Sequence, residues 1–340
     1  MNLFKKKQVD FLAIGDVFID TFIELESADI ETDAHGAHPT LVMPWGDKIA
    51  YKSETPIVGV GNAGNAAIAA TRLGLNTGLQ TIFGTDEDGD RIWNYYKSEK
   101  LNPAFIKRVS DKPTNNAYVL QYGPERTILV NQQPYDYQVP EKLLADLKPK
   151  WIYFTSIAKN TLQFHHDLAA WVVKNPSTKL AFQPGTFQMA LGKEHLADVY
   201  RTSEAFFCNK EESQRILGTT EEDYSKLHAM MRALGPKIVV ITDGPNGLTA
   251  SGPDGIGWHV PMYPDPKPPV SRTGAGDATS STIIAALSLG IPLEQAILWG
   301  PINSMSVVQH VGAQGGLLSK DALLKFLQDA PADYKASKIF

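Results

Sequence analysis

The segment YSKLHAMMRALGPKIVVIT, residues 224–242, joins a predicted helix, Tyr224–Leu234, to a predicted buried strand, Lys237–Thr242. The same alternation of strand and helix runs through most of the chain. Outside this segment the predicted strands are Val9–Ile14, Gly78–Phe83, Lys150–Phe154, Lys179–Phe182 and Ala205–Cys208. The predicted helices are Asn62–Leu73, Asp90–Leu101, Leu162–Val173, Lys210–Leu217, Ala275–Leu289 and Leu293–Gln309. Strands that alternate with helices indicate an α/β fold, with a mostly parallel sheet covered by helices on both faces.

Two stretches interrupt this rhythm. Residues 21–58 alternate without a helical period, and residues 116–131 indicate a hairpin around Gly123-Pro124. We therefore expect a small inserted sheet beside the α/β body. The predicted body comprises residues 1–20, 59–114 and 132–340, and the predicted insert comprises residues 21–58 and 115–131.

Composition excludes several classes of protein. With 43% hydrophobic residues in 340, the chain has enough apolar side chains for a buried core, which excludes a disordered protein. The net charge of −5 argues against nucleic acid as the main partner. The one cysteine, Cys208, excludes an intrachain disulfide and a zinc site built on several cysteines. It is expected to be a buried small hydrophobe and not a nucleophile.

The sequence predicts a cytoplasmic protein. Lys5-Lys6-Lys7 precedes an apolar stretch, but Asp10, Asp16 and Asp20 break that stretch, which a signal peptide would need uninterrupted. The chain has no run of 18 apolar residues, so we expect no membrane-spanning helix and no membrane partner.

The strongest chemical signal is RTGAGDA, residues 272–278, at the start of a long apolar helix. Gly274 and Gly276 allow a ligand to approach the backbone, and the free N–H groups of a helix start attract anions. Asp277 follows in the first turn. A carboxylate beside an anion site suits phosphoryl transfer to an alcohol, because the base accepts the hydroxyl proton. An ordinary helix start remains the alternative.

A second signal is GVGNAG, residues 59–64, which matches G-x-G-x-x-G ahead of a helix. With Asp86 farther along the chain, it resembles the fingerprint of a dinucleotide-binding fold. The loop and Asn65 are also suited to holding the hydroxyls of a polar substrate. Tight packing of small residues against a sheet is a third interpretation.

Two weaker signals flank the strand KIVVIT. Asn209 is a good helix N-cap, and Glu212 fits either a capping box or a carboxylate that holds hydrated Mg²⁺. Thr242–Gly247 ends the strand, where ligands of parallel sheets bind, but a simple turn is equally consistent.

Taken in this order, from about Val9 to Gln314, these segments resemble the PfkB/ribokinase family of sugar and nucleoside kinases. The resemblance implies a ribokinase-like three-layer sandwich, with the inserted sheet as a small β-sheet lid. It also implies a cytoplasmic, ATP-dependent transferase that uses Mg²⁺ and phosphorylates a primary alcohol of a sugar. Family members often form dimers through the lid.

The resemblance assigns roles residue by residue. It makes Asp277 the catalytic base and places the anion hole at Gly274, Ala275 and Gly276. Substrate-binding residues are then Asp20, Phe18, Gly61, Asn62 and Asn65. Nucleotide-binding residues are Thr242, Gly244, Gly247, Arg272 and Asn303. The residues linked to Mg²⁺, through water or phosphate, are Asn209 and Glu212.

Departures from the family pattern leave alternatives open. Ser271 stands where the signature usually begins with Asp, so a requirement for K⁺ is undecided. Arg272 either contacts the ATP phosphates or is solvated. Phe18 and Asn62 depart from ribokinases and favour a nucleoside kinase as the alternative to a sugar kinase. More distant alternatives are an NAD-dependent oxidoreductase and a non-catalytic sugar or nucleotide sensor.

Overall fold

A computed structural model describes residues 8–32, 39–123 and 125–340. The first seven residues of the predicted body, including Lys5–Lys7, lie outside the described residues, as does Pro124 of the predicted hairpin turn. No helix in the described ranges combines the length and the apolar character needed to cross a membrane.

The elements alternate along most of the chain. The strands are β1 (Phe11–Ile14), β2 (Phe18–Leu25), β3 (Asp29–Glu31), β4 (Thr40–Val42), β5 (Tyr51–Val60), β6 (Thr77–Gly84), β7 (Ile106–Val109), β8 (Asn116–Tyr122), β9 (Glu125–Asn131), β10 (Trp151–Phe154), β11 (Lys179–Phe182), β12 (Ser203–Asn209), β13 (Ile238–Thr242), β14 (Leu248–Ser251), β15 (Gly257–Val260) and β16 (Ser337–Lys338). The helices are α1 (Asn62–Arg72), α2 (Glu87–Ser98), α3 (Glu141–Leu147), α4 (Leu162–Lys174), α5 (Thr186–Leu191), α6 (Ala197–Thr202), α7 (Lys210–Leu217), α8 (Tyr224–Ala233), α9 (Ala275–Ser288), α10 (Leu293–Val308) and α11 (Lys320–Gln328). Short 3₁₀ helices lie at Pro103–Phe105 and Gly244–Asn246.

The larger sheet of the described chain has the strand order β16-β15-β14-β13-β12-β11-β10-β1-β6-β7. Strands from β13 to β7 in this order run parallel, and β14, β15 and β16 continue the sheet antiparallel at one edge. Parallel strands aligned in this way bring their carboxyl ends, with the loops that follow them, to a common edge of the sheet.

Helices cover both faces of this sheet. Phe11 and Ala13 of β1 pack into one core with α1, α2, α9, α10 and α11, whereas Leu12 and Ile14 pack into a second core with α3, α4, α6 and α8. Every side chain of β1 is buried, as expected for a strand with a helical layer on each side. The predicted three-layer α/β sandwich with a mostly parallel sheet is therefore confirmed.

A small sheet with the order β5-β2-β8-β9 lies beside the larger one, and β3 and β4 form a separate ribbon. β2 pairs with β5 antiparallel and with β8 parallel, and β8 pairs with β9 antiparallel. The sheet uses residues 18–25 and 51–60, so it extends beyond the predicted insert of 21–58 at both ends. The division of the chain into body and lid at those bounds stays a prediction.

Candidate active site

The start of α9 is shaped by Gly274. Its φ of 84° lies in the left-handed region, and a Cβ atom on it would stand 2.3 Å from the Cβ of Ala313. Both facts require glycine there. Gly276, two residues later, is exposed, and a Cβ on it would meet nothing within 4 Å. The first turn of α9 therefore has open space beside Gly276, and a helix start with such space is suited to bind an anion.

Asp277 belongs to the first turn of α9, and its side chain is buried, with only 8% of the residue exposed. Its Oδ1 accepts hydrogen bonds from Asn62 Nδ2 at 2.9 Å and from Gln183 Nε2 at 3.1 Å, and its Oδ2 accepts one from Asn65 Nδ2 at 2.8 Å. Burial raises the pKa of Asp277 to about 6, while the three amide donors lower it. A carboxylate with this pKa is ionised at neutral pH and is suited to accept a proton.

Helix α1 brings Asn62 and Asn65 to the carboxylate. Gly61, which precedes the helix, has a φ of 101°, and a Cβ on it would lie 2.7 Å from the backbone oxygen of Asp16. This close approach explains why glycine is needed at the turn. The site thus joins segments 215 and 212 residues apart in the sequence.

Strand β2 carries Phe18 and Asp20. Phe18 is the pairing partner of Val60, and its ring would be 3.2 Å from a Cβ on Gly61. It therefore stands next to the start of α1. Burial raises the pKa of Asp20 to about 6, and no described residue donates a hydrogen bond or forms an ion pair with its carboxylate. Because polar groups shielded from water are normally paired and this carboxylate has no described partner, Asp20 has acceptor capacity left for a ligand hydroxyl.

Asn209 and Thr242 are register partners at the ends of β12 and β13. Asn209 Oδ1 accepts a bond from the Glu212 backbone at 2.7 Å, and Glu212 Oε2 accepts one from the Asn209 backbone at 2.9 Å. These bonds form a capping box at the start of α7. Burial raises the pKa of Glu212, and its charge in turn raises the pKa of Asp277, so Glu212 acts electrostatically on the site.

The glycines after β13 shape a tight connection to β14. Gly244 and Gly247 have φ values of 48° and 83°, and a Cβ on Gly247 would lie 2.1 Å from the Val260 backbone oxygen. Asp243 accepts hydrogen bonds from the hydroxyl of Tyr224 and the amide of Asn246. This turn follows the carboxyl end of a parallel strand, next to Asn209.

The side chain of Asn303 is hydrogen-bonded within the protein. It is fully buried, its Nδ2 donates to Thr282 Oγ1 at 2.8 Å, and its Oδ1 accepts from the Leu318 backbone at 2.9 Å. Both ends of its amide are occupied in joining α9, α10 and the following loop. The predicted contact of Asn303 with a nucleotide base stays a prediction, and the bonds of its amide show a structural role in this region. Arg272, by contrast, is exposed, and its guanidinium has no hydrogen-bond or ion-pair partner among the described residues.

One polar residue at the site, Gln183, did not emerge from sequence patterns, and a second, Gln314, marks only the end of the segment that resembles the family. Gln183 follows β11 and donates to Asp277, and its Oε1 accepts a bond from the hydroxyl of Tyr153. Gln183 lies in no glycine-rich or helix-capping motif. Gln314 is also buried here, where its Nε2 donates to Asn65 Oδ1 at 2.9 Å.

The dinucleotide interpretation of residues 59–64 is wrong. The strand before this loop, β5, belongs to the small sheet and runs antiparallel to β2, whereas a dinucleotide fold needs a parallel strand of the main sheet at that place. Asp86 is the N-cap of α2, and its carboxylate accepts bonds from the backbone of Gly89 and Thr114. It is thus occupied in the fold and does not face a ribose.

Comparison with protein-family models identifies the fold's relatives. Residues 50–320 match the model described as pfkB family carbohydrate kinase. The chain belongs to this family. The match covers most of the chain, including the GVGNAG loop and the RTGAGDA helix start, and it confirms the family that the sequence resembles.

Curated relatives of the pfkB member are distant in sequence. A bifunctional ribokinase/ribose-5-phosphate isomerase A of Fructilactobacillus sanfranciscensis is 23% identical over 288 residues, which cover 83% of this chain and 52% of that protein. The bifunctional protein HldE of Ectopseudomonas mendocina is 23% identical over 360 residues, covering 98% and 71%. The chain therefore spans about half of the length of the first relative.

Solved structures share the fold over almost the whole chain. The ribokinase of Arabidopsis thaliana, in complex with ribose and ATP, has a TM-score of 0.80 at 19% identity, covering 94% of this chain and 99% of that one. A nucleoside kinase of Methanocaldococcus jannaschii has a TM-score of 0.75 at 17% identity, covering 95% and 99%. An Escherichia coli protein of the ribokinase II type, in complex with ATP and Mg²⁺, has a TM-score of 0.74 at 17% identity, covering 94% and 99%.

Proposed function

We propose that this pfkB family member transfers a phosphoryl group from ATP to a primary alcohol of a sugar. The observation that carries the proposal is the position of Asp277, a buried carboxylate at the open start of α9 that the amides of Asn62 and Asn65 hold in place. Phosphoryl transfer needs little beyond positioning and electrostatic stabilisation, and a base next to an anion site supplies both.

Each residue of the site has a task in this reaction. Asp20 and Asn65 bind the hydroxyls of the sugar and orient the attacking one toward Asp277, which accepts its proton. The backbone N–H groups at Gly274, Ala275 and Gly276 hold the charge that develops on the transferred group. Closure of the small sheet β5-β2-β8-β9 as a lid excludes water from the acceptor site and limits hydrolysis of ATP.

The nucleotide lies against the edge formed by the ends of β12 and β13. Thr242, Gly244 and Gly247 form its loop there, because a tight turn after a parallel strand exposes backbone groups to a ligand. The exposed Arg272 is free to bind phosphate oxygens. The likeness in fold to structures that hold ATP supports this placement.

Mg²⁺ is compatible with the residues at this edge. No cluster of three or more His, Cys, Asp or Glu side chains arranged for a metal occurs among the described residues, but Mg²⁺ usually needs one or two carboxylates together with phosphate oxygens and water. Glu212 supplies such a carboxylate, with Asn209 holding it through the capping box. Bound Mg²⁺ neutralises phosphate charge.

A nucleoside kinase is the second candidate, and Phe18 is the observation that favours it. Its ring stands beside Gly61 and the start of α1, where it offers an apolar wall to a base. If the acceptor is a plain sugar, Phe18 is a packing residue.

The deciding experiment measures ADP formation with MgATP and a panel of acceptors, each in K⁺ and in Na⁺ buffer. The panel contains ribose, fructose, sugar phosphates, 2-keto-3-deoxygluconate, adenosine, inosine, guanosine and cytidine. Turnover with a sugar supports the proposal, and turnover restricted to nucleosides supports the second candidate. Binding of ATP without turnover of any acceptor points to a sensor. Comparison of the two buffers decides whether K⁺ is required, which is open because Ser271 stands where the family signature usually has Asp.

We also propose a homodimer formed through the small sheet. Every residue of its edge strand β9 is exposed, including the apolar Ile128, Leu129 and Val130. An exposed apolar edge strand is a ready template for pairing with a second chain. Light scattering of the wild type should give twice the mass of the chain, and Leu129→Lys should give monomers; a monomeric wild type would reject the dimer.

A further inference from the structure

The contacts of Asp277 leave its two oxygens unequal. Oδ1 receives Asn62 and Gln183, whereas Oδ2 receives Asn65. An ionised carboxylate oxygen has two lone-pair sites, so the described donors fill those of Oδ1 and leave one on Oδ2. Oδ2 is therefore the oxygen that a substrate hydroxyl reaches without displacing a protein amide, provided that all three amides stay in place.

Gln183 is held in one amide orientation. Its Nε2 must face Asp277, because a carboxylate accepts hydrogen bonds and cannot donate one. The opposite end, Oε1, accepts a bond from the hydroxyl of Tyr153, which also contacts Ser280 Oγ at 2.7 Å. Rotation of the amide by half a turn would turn Oε1 toward the carboxylate and break the bond to Asp277, so the carboxylate sets the orientation and Tyr153 anchors the far end of the amide.

The turn that carries Gln183 is anchored by a second chain of hydrogen bonds. The Gly185 backbone donates to Gln188 Oε1 at 2.8 Å, Gln188 Nε2 lies 3.0 Å from His165 Nε2, and His165 Nδ1 lies 2.7 Å from the Thr161 backbone oxygen. A carbonyl oxygen can only accept, so Nδ1 of His165 carries the hydrogen and Nε2 accepts from Gln188. The side chain of His165 is fully buried, and burial lowers its pKa to about 4, which keeps it neutral.

We infer that Gln183 is a positioning residue for Asp277: its amide keeps the carboxylate ionised and reserves Oδ2 for the acceptor hydroxyl, and His165 supports it through Gln188 and the turn at Gly185. This inference rests on the proposed function only in naming the hydroxyl. The effect on Asp277 itself follows from the contacts alone. A donor to the charged form of a buried carboxylate lowers its pKa, so loss of the donor raises it.

The experiment measures the pKa of Asp277 directly, by carbon NMR of ligand-free protein labelled at the aspartate carboxyl. The signal that is missing in Asp277→Asn identifies the residue. Gln183→Leu should raise the midpoint of its titration by about one pH unit, the effect of one lost hydrogen bond to a charged group. His165→Phe should raise the midpoint by a smaller amount, because it loosens the turn and leaves Gln183 in place.

Two matched variants serve as controls. Gln80→Leu removes another buried amide, whose Nε2 donates to the Gln138 backbone and does not contact Asp277. His228→Phe removes another buried histidine, which is bonded to Ser251 and Thr249 on β14. Both should leave the midpoint unchanged. If Gln183→Leu fails to fold, Tyr153→Phe replaces it and should also raise the midpoint. An unchanged midpoint in a folded Gln183→Leu or Tyr153→Phe variant overturns the inference.

Activity separates this inference from the proposed function. If the wild type turns over an acceptor, the acid limb of its kcat/KM profile should move to higher pH in Gln183→Leu, in parallel with the NMR midpoint. If no acceptor is phosphorylated, the proposed function fails, while the NMR comparison still supports or rejects the positioning role.

Discussion

At the scale of single residues, Asp277 combines burial with three amide donors, and its chemistry rests on the carboxylate. Asp277→Asn keeps the shape and the size of the side chain but cannot accept the hydroxyl proton. We expect kcat to fall by roughly 10²- to 10⁴-fold, the usual contribution of a general base. Circular dichroism and the melting temperature should confirm that the variant is folded. Near-normal turnover would exclude Asp277 as the base.

Gly274 and Gly276 make a matched pair for separating backbone strain from ligand binding. Gly274→Ala should lower the free energy of unfolding by about 2 kcal/mol or more, because alanine is strained at a φ of 84° and its Cβ would clash with Ala313. Gly276→Ala meets open space, so its stability should not fall.

The second variant of the pair reports on the anion site. A methyl group on Gly276 would occupy open space beside the proposed anion site, and we expect KM for ATP to rise about tenfold, equivalent to roughly 1.4 kcal/mol. Urea unfolding and steady-state kinetics measure the two effects. An unaltered KM in Gly276→Ala would place the phosphates elsewhere.

Sequence patterns identify functional residues that lie in local motifs. They miss residues that only the fold brings to the site. Gly274, Asp277 and Asn65 lie in short motifs that also open helices, so the pattern and the site coincide. Gln183 becomes part of the site only because the fold places it against a residue 94 positions away. Asn303 shows that a position suggested by family likeness can also carry bonds between elements that the sequence does not reveal.

At the scale of elements, Glu212 has two possible roles at the start of α7: it completes the capping box, or it acts on Mg²⁺. One substitution separates these roles. Glu212→Gln retains the capping box, which glutamine also completes, so the melting temperature should stay unchanged. It removes the charge proposed to act on Mg²⁺, and kcat/KM for MgATP should fall about tenfold, as for loss of an outer metal partner.

Asn209→Ala is the structural counterpart of that change. It should lower the free energy of unfolding by about 1 kcal/mol, because the cap that bonds to the Glu212 backbone is lost. If Glu212→Gln leaves kcat/KM unaltered while Asn209→Ala is destabilised, the motif serves the helix alone.

Element boundaries were predictable where the sequence carries a stop signal. α7 was predicted with its observed bounds, since Asn209 caps its start and Gly218, with a φ of 70°, ends it. The edge strands β14, β15 and β16 were not predicted. They are short, and polar residues such as Thr249 and Ser251 interrupt the apolar pattern that predicts a buried strand. These residues can be buried because the imidazole of His228 forms a hydrogen bond with each hydroxyl.

At the scale of the whole molecule, buried ionisable groups couple stability to pH. Burial raises the pKa values of Asp16, Asp20 and Asp277 from 3.8 to about 6 and lowers those of His165 and His228 from 6.5 to about 4. Between about pH 4 and pH 6 the folded state holds more protons on the aspartates, so they reduce stability as the pH rises. The histidines act in the opposite direction and offset most of this effect.

Asp16 offers the cleanest test of this coupling, because it lies outside the proposed chemistry. It is 1% exposed, and it accepts bonds from Tyr137 at 2.7 Å, from the Ala158 backbone at 2.9 Å and from Gln132, which ties the end of β9 to β1. Asp16→Asn loses part of this bonding but never ionises. Its free energy of unfolding, relative to the wild type, should therefore improve by about 3 kcal/mol between pH 4 and pH 7, two pKa units of differential protonation. Urea unfolding at both pH values measures the difference, with the exposed Asp29→Asn on β3 as the control. A difference that stays constant with pH would mean that Asp16 ionises as easily in the folded chain as in the unfolded one, and that burial at the junction of the two sheets leaves its proton affinity unaltered.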